Sequence, residues 1–124
     1  MATILVVDDV ASELQMIGNI IAKAGFKIIK AADGYEAVKF AEEKKPDLVV
    51  LDIIMPKMNG FEVVRELRGN QKTEKIPVVL CSQKNTEIDR IWGIEQGADA
   101  YLTKPFEPKQ LVDIVQRLLN SINN

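Results

Sequence analysis

Three aspartates carry the first sign of chemistry in this chain. Asp52 follows directly on Leu48-Val49-Val50-Leu51, and Asp8 and Asp9 follow on Ile4-Leu5-Val6-Val7. A short unbroken apolar run fits a strand buried on both faces. A carboxylate just past the carboxyl end of such a strand lies in the crevice where open α/β sheets build their sites. If the two runs are neighbouring central strands, the three carboxylates share one small space. Like charges that close repel, and protons or a cation must offset them. Loop aspartates ordinarily cap helices and form turns. Three of them at the ends of two apolar runs point instead to a divalent cation site. Magnesium takes one or two carboxylates, keeps several waters and accepts phosphate oxygens. A carboxylate so placed can also serve as a nucleophile and form an acyl phosphate.

Two more strand ends carry polar groups. Lys104-Pro105 closes the run Asp99 to Thr103, and Ser82 closes Val78-Val79-Leu80-Cys81. In a parallel sheet both fall on the side of the aspartates. The Lys104 ammonium can pair with Asp52 or with a phosphoryl oxygen. Pro105 permits a cis bond that would aim the chain. Ser82 is a poor nucleophile without a histidine, but it can donate a hydrogen bond to a phosphoryl oxygen. Tyr101, within the fifth apolar run, reads as a packing residue with its hydroxyl at the surface. Cys81 reads as a small core residue.

The elements that must position these groups follow from periodicity. Apolar runs alternate with amphipathic stretches. The strands are expected at Thr3 to Val7, Lys27 to Ala31, Leu48 to Asp52, Ile76 to Cys81 and Asp99 to Thr103. A first helix is expected from Ser12 to Ala24, with Leu14, Ile17, Ile21 and Ala24 on one face and Gly25 ending it. Asp33 and Glu36, and again Asn59 and Glu62, have the spacing of a capping box and open the second and third helices. The stretch Gly69 to Lys75 is polar and expected to move. A fourth helix spans about Thr86 to Gln96, and Pro108 suits the first turn of a fifth. Leu111, Ile114, Val115, Leu118 and Ile122 form its apolar stripe, and Asn120 to Asn124 is a polar end expected to fray. Such βα units with short loops give one doubly wound parallel sheet, helices on both faces.

Bulk properties narrow the function. At 124 residues, with 47% apolar and 27% charged side chains, the chain has the size and core of one soluble domain. A net charge of −2 argues against direct binding of nucleic acid. No stretch approaches a membrane span, and no signal peptide is apparent. The lone Cys81 allows no intrachain disulfide and fits a reducing cytoplasm. With no histidine, a Ser-His-Asp triad and imidazole metal ligation are excluded.

With Asp8-Asp9, Asp52, Ser82 and Lys104-Pro105 each at a strand end, the chain resembles the receiver domain of bacterial two-component response regulators over essentially its whole length. The resemblance implies a flavodoxin-like (βα)5 sheet in strand order 2-1-3-4-5. It implies that Asp52 accepts a phosphoryl group from a histidine kinase. Asp8, Asp9, Asp52 and the backbone carbonyl of Ile54 would hold Mg²⁺. Ser82 and Lys104 would hold the phosphoryl group, with Tyr101 swinging inward as Ser82 moves. The face of the fourth helix, fifth strand and fifth helix would bind a downstream protein. Ile91, Trp92 and Ile94 give that fourth helix more apolar residues than an inward stripe requires. Ser82 stands where threonine is common in the family, and Val10 where a polar residue often follows the acidic pair. No output domain is expected within residues 1–124, so the chain reads as a stand-alone phosphoacceptor rather than an enzyme. Ile91-Trp92-Gly93 and the Gln96-Gly97-Ala98 turn are similar to single-domain regulators of twitching motility or phototaxis. Ile54 and Lys84 are expected to flank the path of a hydrolysing water, and neither orients water as an acidic side chain would, so the phosphoaspartate is expected to be long-lived.

The alternative is a Mg²⁺-dependent phosphohydrolase with an aspartyl nucleophile. Enzymes resembling the haloacid dehalogenase class carry a second aspartate two residues on, where this chain has Ile54. A flavodoxin-like cofactor binder would need a phosphate cradle after the first strand, where Asp8-Asp9 would repel phosphate.

Overall fold

Runs of β-branched and aliphatic residues alternate with helix-period stretches, and each pair folds as one βα unit. The computed structural model describes residues 1–123. In order the elements are β1 (Thr3–Val7), α1 (Ala11–Lys23), β2 (Lys27–Ala31), α2 (Gly34–Lys44), β3 (Leu48–Leu51), α3 (Gly60–Arg68), β4 (Val78–Ser82), α4 (Glu87–Gln96), β5 (Ala100–Thr103) and α5 (Pro108–Asn123). The sheet runs β2-β1-β3-β4-β5, and every neighbouring pair is parallel. This is the expected doubly wound order. The Ile122 side chain and Asn124 lie outside what the structure describes.

Strand side chains alternate between the two faces, so one sheet serves two cores. Leu5, Val7, Val49, Leu51 and Leu80 face Ala37, Ala41, Val63, Val64 and Leu67 on α2 and α3. Ile4, Val6, Val50, Val79 and Cys81 face Ile17, Ile21, Leu111 and Val115 on α1 and α5. Burying each valine, leucine or isoleucine among them is worth about 1.5–3 kcal/mol. The β1 to β3 register pairs Val7 with Leu51, which brings the residues just past both strands side by side.

The helix starts show how much local chemistry fixes. Asn59 and Glu62 form the expected reciprocal box at α3. At α2 the Asp33 carboxylate accepts from the Glu36 amide at 2.8 Å, but Glu36 reaches one residue further back, to the Ala32 amide. Gly25 and Gly97 follow helix ends with φ of 99° and 115°, conformations that favour glycine.

Gly69 to Lys75 differs from expectation. It is a series of hydrogen-bonded turns, and Thr73 is buried with its hydroxyl donating to the Leu67 carbonyl at 2.7 Å. Arg68 secures the region. Its guanidinium donates to the carbonyls of Glu74, Ile76 and Gly97 and pairs with Asp99 at 2.9 Å. The fourth strand starts at Val78 rather than Ile76, and the Pro77 carbonyl accepts the Val49 amide at 2.9 Å.

Candidate functional site

The carboxyl edge of the sheet gathers the polar strand ends. The Asp52 amide donates to the Val7 carbonyl at 3.0 Å, extending the β1–β3 pairing one residue and fixing Asp52 beside Asp8. The Lys104 amide donates likewise to the Ser82 carbonyl at 2.9 Å. The Lys104–Pro105 peptide is cis, as the sequence allows. Gly60 sets the depth of the loop after Asp52. A Cβ there would overlap the Asp52 carbonyl oxygen and lie 2.7 Å from the Ile53 Cα, so only glycine lets α3 begin this close.

The three aspartates meet. One carboxylate oxygen from each of Asp8, Asp9 and Asp52 lies within 4.8 Å of the others. Asp8 and Asp52 are buried and Asp9 is exposed. The Lys104 ammonium enters the cluster from β5. It lies 2.9 Å from Asp8, 3.2 Å from Glu13 and 3.8 Å from Asp52. The expected Lys104–Asp52 pairing is thus the longest of the three contacts. Nothing in the sequence alone singles out Glu13. Its place in the first turn of α1 is a local signal, but its partner lies at the far end of the chain.

Burial, and then the neighbouring Asp8 charge, raise the Asp52 pKa above the ordinary 3.8. The Lys104 charge, the Ile53 amide and the Ser82 hydroxyl pull the other way without prevailing. Burial works against the Lys104 charge, but its hydrogen bond to Asp8 and the charges of Asp52 and Asp8 outweigh that and raise its pKa. The ammonium therefore stays charged. Burial pushes the Cys81 thiol up to about 12, consistent with an inert core residue.

The cluster opens into a cleft of about 310 Å³ lined by Asp8, Asp9, Val10, Glu13, Asp52, Ile54, Gln83 and Lys104. Four carboxylates face one ammonium there, so the cleft has room and charge for a further cation. All its anionic donors are carboxylate oxygens, the set a hard divalent ion prefers. Ile54 stands on the rim and is 54% exposed. Lys84 does not line the cleft. Its ammonium points to Asp89 at 3.9 Å, and Gln83 takes the rim position instead.

Ser82 is buried, and its hydroxyl oxygen accepts the Lys84 amide at 3.3 Å. Tyr101 is half-buried and donates its hydroxyl to the Lys84 carbonyl at 2.7 Å. The Arg90 guanidinium lies 5.6 Å from the Tyr101 ring centre and donates to the Thr103 hydroxyl at 2.8 Å. Burial, with the Asp89 charge second, raises the Tyr101 phenol to about 12, so it remains a donor. Ser82, the β4–α4 connection and Tyr101 thus form one hydrogen-bonded series.

Residues 4–116 match the response regulator receiver domain family. The chain belongs to that family. It is 40% identical to Protein PilH of Pseudomonas aeruginosa over 119 residues, covering 96% of this chain and 98% of PilH. It is 42% identical to the alkaline phosphatase synthesis transcriptional regulatory protein PhoP of Bacillus subtilis, covering 94% of this chain but only 48% of PhoP. Among solved structures, the Vibrio cholerae chemotaxis protein CheY4 is 34% identical and superposes with a TM-score of 0.89, covering 94% of this chain and 98% of that one. The receiver domain of the sensor histidine kinase PA1611 from Pseudomonas aeruginosa, solved with magnesium in its active-site cleft, is 28% identical with a TM-score of 0.89, covering 96% and 98%. As a receiver domain, the chain is a component of two-component signalling, a phosphoacceptor family served by histidine kinases. None of these likenesses supports the phosphohydrolase alternative.

Proposed function

We propose that this chain is a phosphorylation-dependent switch, not a turnover enzyme, with Asp52 as its single phosphoacceptor. The meeting of Asp8, Asp9 and Asp52 within 4.8 Å, with the Lys104 ammonium among them, carries this reading. An Asp52 carboxylate oxygen attacks the phosphorus of a kinase phosphohistidine. The new O–P bond makes a mixed anhydride, and the P–N bond breaks with its electron pair returning to the imidazole. Lys104 then neutralises a phosphoryl oxygen, and Ser82 donates to another. Asp8, Asp9, Asp52 and the Ile54 carbonyl would hold Mg²⁺, whose charge offsets that of the incoming phosphoryl oxygens. The PA1611 structure, with magnesium in the equivalent kind of cleft, supports that cofactor.

The response leaves through α4, β5 and α5. Ile88, Ile91, Trp92 and Ile94 stand between 46% and 77% exposed on α4, an apolar face that suits a protein partner. The downstream protein would bind there once Ser82 and Tyr101 shift. Similarity to a chemotaxis protein supports a role in motility or taxis. No helix among the described residues is long and apolar enough to cross a membrane, and we place the chain in the cytoplasm with its kinase's catalytic machinery.

Acetyl phosphate with Mg²⁺ tests the assignment by intact mass. A switch gains one phosphoryl group per chain, which Asp52→Asn abolishes. Continuous release of many equivalents of phosphate would indicate the hydrolase, and undiminished labelling of the variant would rule out Asp52.

A further inference from the structure

Four helices begin with the same sequence device, and one uses it differently. At α2, α3 and α4 the acidic residue three positions after the N-cap is Glu36, Glu62 or Asp89. Each turns back to a backbone amide at its own helix start, those of Ala32, Asn59 and Thr86. At α1 the equivalent residue is Glu13. Its N-cap is Val10, which has no side-chain oxygen and makes no side-chain cap bond. Glu13 instead lies 3.2 Å from the Lys104 ammonium, on the wall of the Asp52 cleft. Its side chain is 33% exposed, while that of Lys104 is 7% exposed.

The consequence is a competition. Lys104 sits closer to Asp8 and Glu13 than to Asp52. To neutralise a phosphoryl group on Asp52 the ammonium must move toward it and loosen its hold on Glu13. A contact present before phosphorylation and weakened after it favours the unphosphorylated form.

We propose that Glu13 is a positioning residue that holds the Lys104 ammonium on the Asp8 side of the cleft and so opposes the phosphorylated state. The proposal rests on the switch reading of Asp52 given above. Removing the Glu13 charge leaves the phosphorylated arrangement nearly intact and weakens the resting one. An ion pair whose carboxylate is a third exposed is worth about 0.5–1 kcal/mol, a shift of about 2- to 5-fold in the equilibrium.

The test uses beryllofluoride, which mimics the phosphoryl group without being hydrolysed, titrated calorimetrically into the full chain with Mg²⁺. Wild type, Glu13→Gln, Lys104→Met and the double variant are compared, with circular dichroism confirming each fold and Lys104→Gln replacing Lys104→Met if the latter is unfolded. Glu13→Gln is expected to bind about 2- to 5-fold more tightly than wild type. The same substitution is expected to change nothing once Lys104 is gone, because Glu13 then has no ammonium to hold. Unchanged or weaker binding in Glu13→Gln would overturn the proposal. So would an equal gain without Lys104, which would mean that Glu13 acts only through its charge. Wild type taking up neither beryllofluoride nor, from acetyl phosphate, a phosphoryl group on Asp52 would overturn the switch reading and this proposal with it.

Discussion

Burial sets Asp52 apart from Asp9, its exposed neighbour in the cleft. Asp52 is 8% exposed and shares its space with the fully buried Asp8. Its folded-state pKa is raised above the ordinary 3.8, first by burial. The metal-free fold is therefore favoured while Asp52 is protonated. That benefit is lost as pH rises through the raised pKa, beyond which the ionised carboxylate opposes folding. Asp52→Asn removes the charge. With a chelator at about pH 7 the variant is expected to melt a few degrees higher, because the buried charge that opposes folding is gone. The gap is expected to close toward about pH 4, and melting curves of both proteins across that range measure it. Ile54 carries a second prediction. It stands on the cleft rim without a hydrogen-bonding group, so Ile54→Asn supplies one for the hydrolysing water. Release of phosphate from Asp52 is expected to accelerate about 2- to 10-fold, the worth of one hydrogen bond. Lys84→Glu is expected to do less, because Lys84 faces Asp89 rather than the cleft. A time course of phosphate loss distinguishes the two.

Two helices dock where a glycine leaves room. At α3, the backbone of Asp52 and Ile53 occupies the space that a Gly60 side chain would need. Backbone cannot swing aside as a flexible side chain can. Gly60→Ala is expected to cost about 1–3 kcal/mol, the range for overpacking, and to slow Asp52 labelling because the loop must shift. Chemical denaturation and acetyl phosphate labelling of the same variant check both effects. Labelling at the wild-type rate would show that the loop and the site are independent. At α4, Gly93 is the buried contact. A Cβ there would lie 2.8 Å from Leu80 Cδ1 and 3.2 Å from the Tyr101 ring. The helix that carries the proposed partner face therefore rests directly on the aromatic residue of the switch series.

The whole molecule divides its labour between the two faces of one sheet. Both faces are sealed by apolar helices, and the chemistry is confined to the carboxyl edge. Helix α4 departs from that economy, with Gly93 its one fully buried residue and its isoleucines turned outward. If those isoleucines serve a partner rather than the core, replacing one leaves stability alone. Ile91→Lys is expected to change unfolding free energy by less than about 0.5 kcal/mol while abolishing phosphorylation-dependent capture of the downstream protein. A loss of stability several times larger in denaturant titrations would place Ile91 in the fold rather than in the interface.

The unbroken runs at Ile4 to Val7 and Leu48 to Leu51 were enough to mark buried parallel strands, because burial on both faces leaves no polar position in a strand. The same runs located Asp8, Asp9, Asp52, Ser82 and Lys104, since a residue just past a parallel strand can only lie at one edge of the sheet. The box at Asn59 was legible because its hydrogen bonds span three residues, whereas the one at Thr86 emerged only in the structure. What remained hidden depends on distance along the chain. Lys104 and Asp8 are 96 positions apart, and which of three carboxylates the ammonium prefers is set by how β1, β3, β5 and α1 pack. No local pattern marks Arg68, whose partners are the carbonyls that the turns around Glu74, Ile76 and Gly97 present to it. Lys84 was expected at the water path, but the next helix offered it Asp89. The residues carried their chemistry and their local conformation from the start. Long flexible side chains such as those of Glu13, Arg68, Lys84 and Lys104 take their partners from the nearest unsatisfied charge or carbonyl, and only the packed tertiary structure decides which that is.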